Sequence, residues 1–131
     1  MIIAVDFDGV LCRNRFPEIG PPNYSMISIV RRLIDQGEEV ILWTSRVDAE
    51  LDSAVEWCKD RGLKFCSVNE NAPSNIAKYI KKYPNGTRKV YADIYVDDHS
   101  LEFIRTVQDG GYEKALNNME SILRRLLADE R

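Results

Sequence analysis

Apolar residues fall along this chain in two rhythms. Consecutive, largely β-branched runs occur at Met1–Val5, Val40–Trp43 and Ile94–Val96, with a weaker one at Leu63–Val68. None alternates with polar positions, so each predicts a strand buried on both faces, as in a parallel sheet. Between them the apolar positions recur every three or four residues. Met26, Ile27, Val30, Leu33 and Ile34 form one helical stripe, capped at Asn23 or Ser25 and stopped by Gly37. Leu51, Ala54, Val55 and Cys58 form a second between Asp48 and Gly62, and Ile76, Tyr79, Ile80 and Tyr83 a third between Pro73-Ser74 and Pro84. Strand and helix alternate. The pattern predicts an α/β fold: a three-layer, Rossmann-like open parallel sheet with helices on both faces and right-handed crossovers.

A last stripe, from Tyr112 through Ala115, Leu116, Met119, Ile122 and Leu123 to Leu126 and Leu127, predicts an amphipathic C-terminal helix over about 112–128. It either closes the sheet's flank or meets a second copy of the chain in a homo-oligomer. The whole reads as one domain over 1–131, with a core of 1–108 followed by that helix.

Composition narrows the classes. At 131 residues with 44% hydrophobic and 30% charged positions, the chain has the profile of a soluble globular domain that folds without a disulfide. The 18 basic and 21 acidic residues give a net charge of −3, which argues against a nucleic-acid or anionic-membrane surface as the main business and leaves only a local basic patch open. Cys12, Cys58 and Cys66 form no C-x-x-C pair, and His99 is the single histidine, so a Cys/His zinc site is excluded in practice. No apolar run approaches the ~18 residues of a membrane span, and a reduced, cytoplasmic protein is expected. Serine- and cysteine-based catalysis would both depend on His99, and no G-x-S-x-G motif is present.

The chemistry gathers at the carboxyl ends of the expected strands, where open parallel sheets bind ligands. The first strand ends in Asp6-Phe7-Asp8-Gly9, the second in Thr44-Ser45-Arg46, the fourth in Asp97-Asp98. If the first and fourth strands adjoin, four carboxylates share one pocket. Each like-charged pair at 4–5 Å costs roughly 3–4 kcal/mol at an effective dielectric near 20. Such a cluster takes up protons or holds a cation, and hard oxygen ligands favour Mg²⁺ with a phosphate as co-ligand.

This ordered set resembles the haloacid dehalogenase-like superfamily of Mg²⁺-dependent phosphatases and phosphotransferases over residues 1 to roughly 105. Asp6-Phe7-Asp8-Gly9-Val10 is similar to its first motif, with Val10 where Thr is commoner; Leu42-Trp43-Thr44-Ser45-Arg46 resembles the second and Tyr95-Val96-Asp97-Asp98 the fourth. The third motif supplies a lysine, and Lys89, ahead of Ala92-Asp93, is the preferred match over Lys78.

The resemblance implies Asp6 as nucleophile, forming an aspartyl-phosphate, and Asp8 as general acid and then base. It implies Mg²⁺ held by Asp6, by Asp8 through its backbone carbonyl, and by Asp97 or Asp98, with Thr44, Ser45 and the lysine on the phosphoryl group. Arg46 either reaches a substrate anion or pairs with a neighbouring acid. His99 is expected at the rim of the site, and Cys12 in packing. The loop after Asp8, with Phe16 and Tyr24, forms a flap. About 15 residues separate Asp8 from the first helix and about 25 separate the third strand from the fourth, too few for a cap domain. The expected partner is therefore a phosphorylated substrate, a small molecule or an exposed phosphate on a larger one, reached through an open site. A binding module without turnover and a phosphotransferase remain alternatives. A phosphorelay receiver fails, because its phosphorylated Asp should end the third strand, where Asn69 and Glu70 stand.

Overall fold

In the computed structural model, which describes residues 1–129, the chain runs through β1 (Ile2–Val5), β2 (Cys12–Arg15), β3 (Glu18–Pro22), α1 (Tyr24–Asp35), β4 (Glu39–Leu42), α2 (Asp48–Asp60), β5 (Ser67–Val68), α3 (Pro73–Tyr79), β6 (Ile94–Val96), α4 (Leu101–Gly110) and α5 (Tyr112–Asp129). The last two residues of the expected domain lie outside the described residues. Four strands form a parallel sheet in the order β5-β4-β1-β6, and β2 and β3 pair as a separate antiparallel hairpin. The expected Rossmann-like α/β architecture is present.

The strand order explains the layers. From β1 the chain steps outward to β4 and then to β5, and right-handed crossovers place both connecting helices, α1 and α2, on one face. The return from β5 to β6 passes back across the sheet and must cover the opposite face. The cores match this. Ile3, Val5, Val40 and Leu42 point to one side and pack with Met26, Val30 and Leu33 of α1, Ala54 and Cys58 of α2, and Leu116, Leu123 and Leu127 of α5. Ala4 and Ile41 point to the other side, where they meet Ala72, Val90 and Ala92. That second core is small.

Helix α5 packs against α4 and α1 and buries Ala115, Leu116, Leu123 and Leu127, which is the flank-closing arrangement. Helix α4 was not expected from the sequence; its Ser100 N-cap accepts from Phe103 N–H, and Phe103 and Thr106 are its buried positions. The weak third strand shrinks to Ser67–Val68, and the expected flap loop carries the β2–β3 hairpin. Helix α3 is shorter than its stripe, and Ile76, Tyr79, Ile80 and Tyr83 are each 42–54% exposed. An apolar stripe at helical spacing normally faces a core. This one does not. Among the described residues no helix is long and apolar enough to cross a membrane, and the cysteines are free thiols, Cys12 and Cys58 being buried.

Candidate active site

The order β5-β4-β1-β6 changes direction between β1 and β6, since the chain leaves β1 on one side and returns on the other. Such a switch point opens a crevice at the carboxyl ends of the strands. Asp6 follows β1 and Asp97 and Asp98 follow β6, so the two acidic motifs meet there. The ends are tied directly, with Asp6 N–H donating to Val96 C=O at 2.9 Å. One ligand atom from each of Asp6, Asp97, Asp98 and His99 lies within 4.8 Å of the others.

Glycine is required beside this cluster. Gly9 has φ +88°, and a Cβ there would stand 2.1 Å from Asp98 Oδ2. The bare backbone lets the Asp98 carboxylate approach Asp6. Burial pushes the Asp6 carboxyl up to about 9, reinforced by its hydrogen bond with Asp98 and the charges of Asp97 and Asp98; the hydrogen bond from Phe7 N–H pulls the other way. Asp98 Oδ1 is buried without a hydrogen-bond partner, although His99 Nδ1 stands 3.1 Å from it. A buried carboxylate oxygen without a donor carries a desolvation cost. A divalent cation fits this set: three carboxylates supply hard oxygens, one of them unpartnered, and the imidazole offers nitrogen. His99 holds the rim position expected of it, highly exposed but against the acids.

The side chain of Asp8 is not in this cluster but on Arg46, and the metal role that the resemblance implies for Asp8 is that of its backbone carbonyl. Its two oxygens accept from Arg46, Oδ2 from Nε and Oδ1 from Nη2, each at 2.8 Å. Arg46 is 2% exposed. Its Nη1 also donates to Pro17 C=O and Glu50 C=O, and its Nη2 to Glu18 C=O. The guanidinium lies between the rings of Phe7 and Phe16, 5.1 Å from each. All five donors of the fork are engaged. Arg46 therefore has no donor left for a substrate anion, and of the two readings open in the sequence it is the ion pair that is seen. It joins Asp8, the hairpin and the first turn of α2.

Thr44 is held from a third strand. Its N–H donates to Asn69 Oδ1 at 2.8 Å, and its Oγ1 accepts from Arg46 N–H at 3.2 Å, leaving the hydroxyl proton free to turn toward the cavity. The cavity, of about 620 Å³, is lined by Asp6, Asp8, Thr44, Ser45, Arg46, Asp97 and His99, with Trp43 and with Asn14 and Phe16 from the hairpin. Trp43 and Phe16 thus reach the site, whereas Phe7 is buried in the core. Neither candidate lysine lines it. Lys89 is exposed with Nζ 5.3 Å from the Tyr95 ring centroid, and Lys78 lies 5.3 Å from that of Tyr79. Both belong to the return crossover, whose core contacts, Ala72, Val90 and Ala92, hold it to the face of the sheet opposite α1 and α2.

Two residues that the sequence marks only as a helix cap and the start of an apolar stripe, Asn23 and Tyr112, brace the Asp6–Gly9 loop. Tyr112 Oη, at the start of α5, donates to Gly9 C=O at 2.8 Å. Asn23 stands at the N-cap of α1 without capping it; its Nδ2 donates to Val10 C=O and to Tyr112 Oη. An Asn before a helix signals a cap, and nothing local marks this other use.

The chain is similar to the solved structure of a conserved protein coded by a locus of Bacteroides thetaiotaomicron, at 31% identity over 83% of this chain and 89% of that one, with a TM-score of 0.67. No family model and no curated protein matches the chain.

Proposed function

We propose that this chain, which belongs to one family with the Bacteroides conserved protein, is a Mg²⁺-dependent phosphohydrolase acting on a phosphomonoester through an aspartyl-phosphate on Asp6. The observation that carries the reading is the convergence of Asp6, Asp97, Asp98 and His99 at the switch point, where Asp6, Asp97 and His99 line one cavity with Asp8, Thr44 and Ser45. Its resemblance to haloacid dehalogenase-like enzymes supplies the chemistry.

When bound, the cation would neutralise the carboxylates that repel a phosphate. The chain's own residues do the rest. An oxygen of ionised Asp6 attacks phosphorus as the bond to the leaving oxygen breaks, and Asp8 gives that oxygen its proton. Water then attacks the aspartyl-phosphate, its proton passes to Asp8, phosphate leaves and Asp6 is regenerated. Both oxygens of Asp8 rest on Arg46, so this pair loosens whenever Asp8 carries the proton; Arg46 is a positioning residue. The Thr44 hydroxyl and the Ser45 backbone N–H would donate to the phosphoryl oxygens. Lys89 takes a part only if its segment moves inward with substrate, and Lys89→Ala reads that out.

The test is phosphate release from an aryl phosphate and from a broad panel of phosphorylated metabolites. Asp6→Asn and chelation should each reduce release at least ~1,000-fold, a loss of the size expected for an essential nucleophile. No release across the panel, with phosphate or substrate still bound, would instead establish a binding module without turnover. Release that rises with added alcohols or sugars would establish a transferase.

A further inference from the structure

The return crossover has a charge balance unlike the rest of the chain. Residues 71–92 contain Lys78, Lys81, Lys82, Arg88 and Lys89 and no carboxylate, although acids outnumber bases over the whole sequence. All five basic side chains are exposed. Glu70 and Asp93 stand only at its ends, with Asp93 accepting from the Tyr91 hydroxyl, and Glu39 meets it at Ser74.

Aromatic faces are interleaved with these charges. Tyr79, Tyr83 and Tyr91 are 43%, 54% and 50% exposed. With Ile76, Ile80 and Thr87 they line a groove of about 300 Å³. Lys78 lies over the Tyr79 ring and Lys82 over the Tyr83 ring, at 5.3 and 5.5 Å. The groove also has a built polar floor: Asn71 Nδ2 donates to Thr87 Oγ1, Asn71 Oδ1 accepts from Tyr91 N–H, and Thr87 Oγ1 donates to Lys89 C=O. Exposed rings and exposed cations therefore lie together on one segment, with Lys78 and Lys82 over two of the rings that line the groove.

We propose that this surface binds single-stranded nucleic acid. Successive bases offer flat faces for the tyrosines, and the phosphates between them meet the lysines and Arg88, the combination by which such strands are held without base readout. An acidic peptide would satisfy the charges and leave the rings unused. An anionic membrane would call for apolar side chains projecting freely into it, whereas Ile76, Ile80 and the three tyrosines, although 42–54% exposed, gather round a groove. The modest overall acidity is thus the sum of an acidic body and one basic surface. One end of the segment lies near the candidate active site, Asn71 being two residues from Asn69, which bonds Thr44; the other end enters β6 beside Ile2, at the opposite, amino-end edge of the sheet. Two extended residues span about 7 Å. A ligand with phosphates along its length suits both surfaces; that link rests on the phosphohydrolase reading, and the binding itself does not.

The experiment is fluorescence anisotropy of the full chain with a labelled oligothymidylate of about 12 nucleotides. If three to five phosphates are contacted, affinity should fall about 20- to 100-fold between about 50 and about 200 mM salt. The triple change Lys81→Glu, Lys82→Glu, Arg88→Glu should abolish binding, and Tyr83→Ala should weaken it about 5- to 10-fold. All four positions are exposed, and circular dichroism melting would confirm that the variants fold. No binding at low salt, or binding unchanged in the triple variant, would overturn the proposal. Equal binding of poly-glutamate or of phosphatidylglycerol vesicles would overturn it in favour of an acidic protein or a membrane. Strand binding by a protein that releases no phosphate from any substrate would leave this proposal standing while the phosphohydrolase reading fell.

Discussion

The two faces of the sheet are built to different standards. On one, α1, α2 and α5 bury a deep core in which Leu33, Leu42 and Leu123 are at most 2% exposed. On the other, the return crossover touches the sheet mainly through Ala72, Val90 and Ala92, and the apolar stripe of α3 faces outward. The difference follows from topology. Two outward steps supply two full-length helices to one face, while a single long return supplies the other with seven helical residues and an irregular segment. The loops bearing Asp6 and Thr44 are mounted on the thick side and braced by Arg46, Tyr112 and Asn69. The thin side has surface to spare.

The largest expected effect lies at the switch point and should be absent from the thin face. Asp6 has its carboxyl raised from 3.8 to about 9. Between those values the folded chain holds a proton that the unfolded chain releases, so this group stabilises the metal-free fold fully below about pH 4 and loses that contribution as pH rises toward 9. The change is on the order of several kcal/mol. Urea melts of the metal-free protein should show it, Asp6→Asn should flatten the profile, and Mg²⁺ should restore stability most at high pH, where the ligands are ionised. A flat wild-type profile would contradict the burial described for Asp6.

Arg46→Ala should cost about 3–5 kcal/mol, because it strands the Asp8 carboxylate and frees the hairpin and α2 carbonyls. The same melts measure it, and a cost below about 1 kcal/mol would show the clamp to be ornamental. A direct contrast of the faces comes next. Leu33→Ala on α1 should cost about 2–5 kcal/mol and Ile80→Ala after α3 less than about 1 kcal/mol; equal costs would mean that the return crossover is packed after all. The smallest effect is Tyr112→Phe, which removes the hydroxyl on Gly9 and should cost about 1 kcal/mol, with a larger proportional loss of phosphate release than of stability if the brace positions Asp6.

The sequence made some of this legible and hid the rest for definable reasons. The strands β1, β4 and β6 and the helices α1 and α2 follow from short β-branched runs and 3.6-residue spacing. Helix α4 is masked in the sequence, although Ser100 and the Phe103–Val107 pair carry a cap and a helical spacing, because Leu101 and Ile104 break the stripe toward solvent. The β2–β3 hairpin was hidden by Cys-Arg-Asn-Arg and Glu-Ile-Gly-Pro-Pro, which lack alternation and include proline, and it is held in part by Arg46 from outside. The stripe of α3 reads as core only until one knows which face has helices enough already.

What the sequence determined alone is local: which runs are strands, where they stop, and which reactive groups stand at the stops, because side-chain period and turn chemistry act over a few residues. What the tertiary structure decided is pairing across distance. Asp6 meets Asp97 and Asp98 because β6 returns beside β1; Asp8 meets Arg46 across 38 positions, Thr44 meets Asn69 across 25, and Gly9 meets Tyr112 across 103. No local rule chooses among the carboxylates available to an arginine. Strand order does, by fixing which loop ends share a crevice and which stretch of chain is left on the outside.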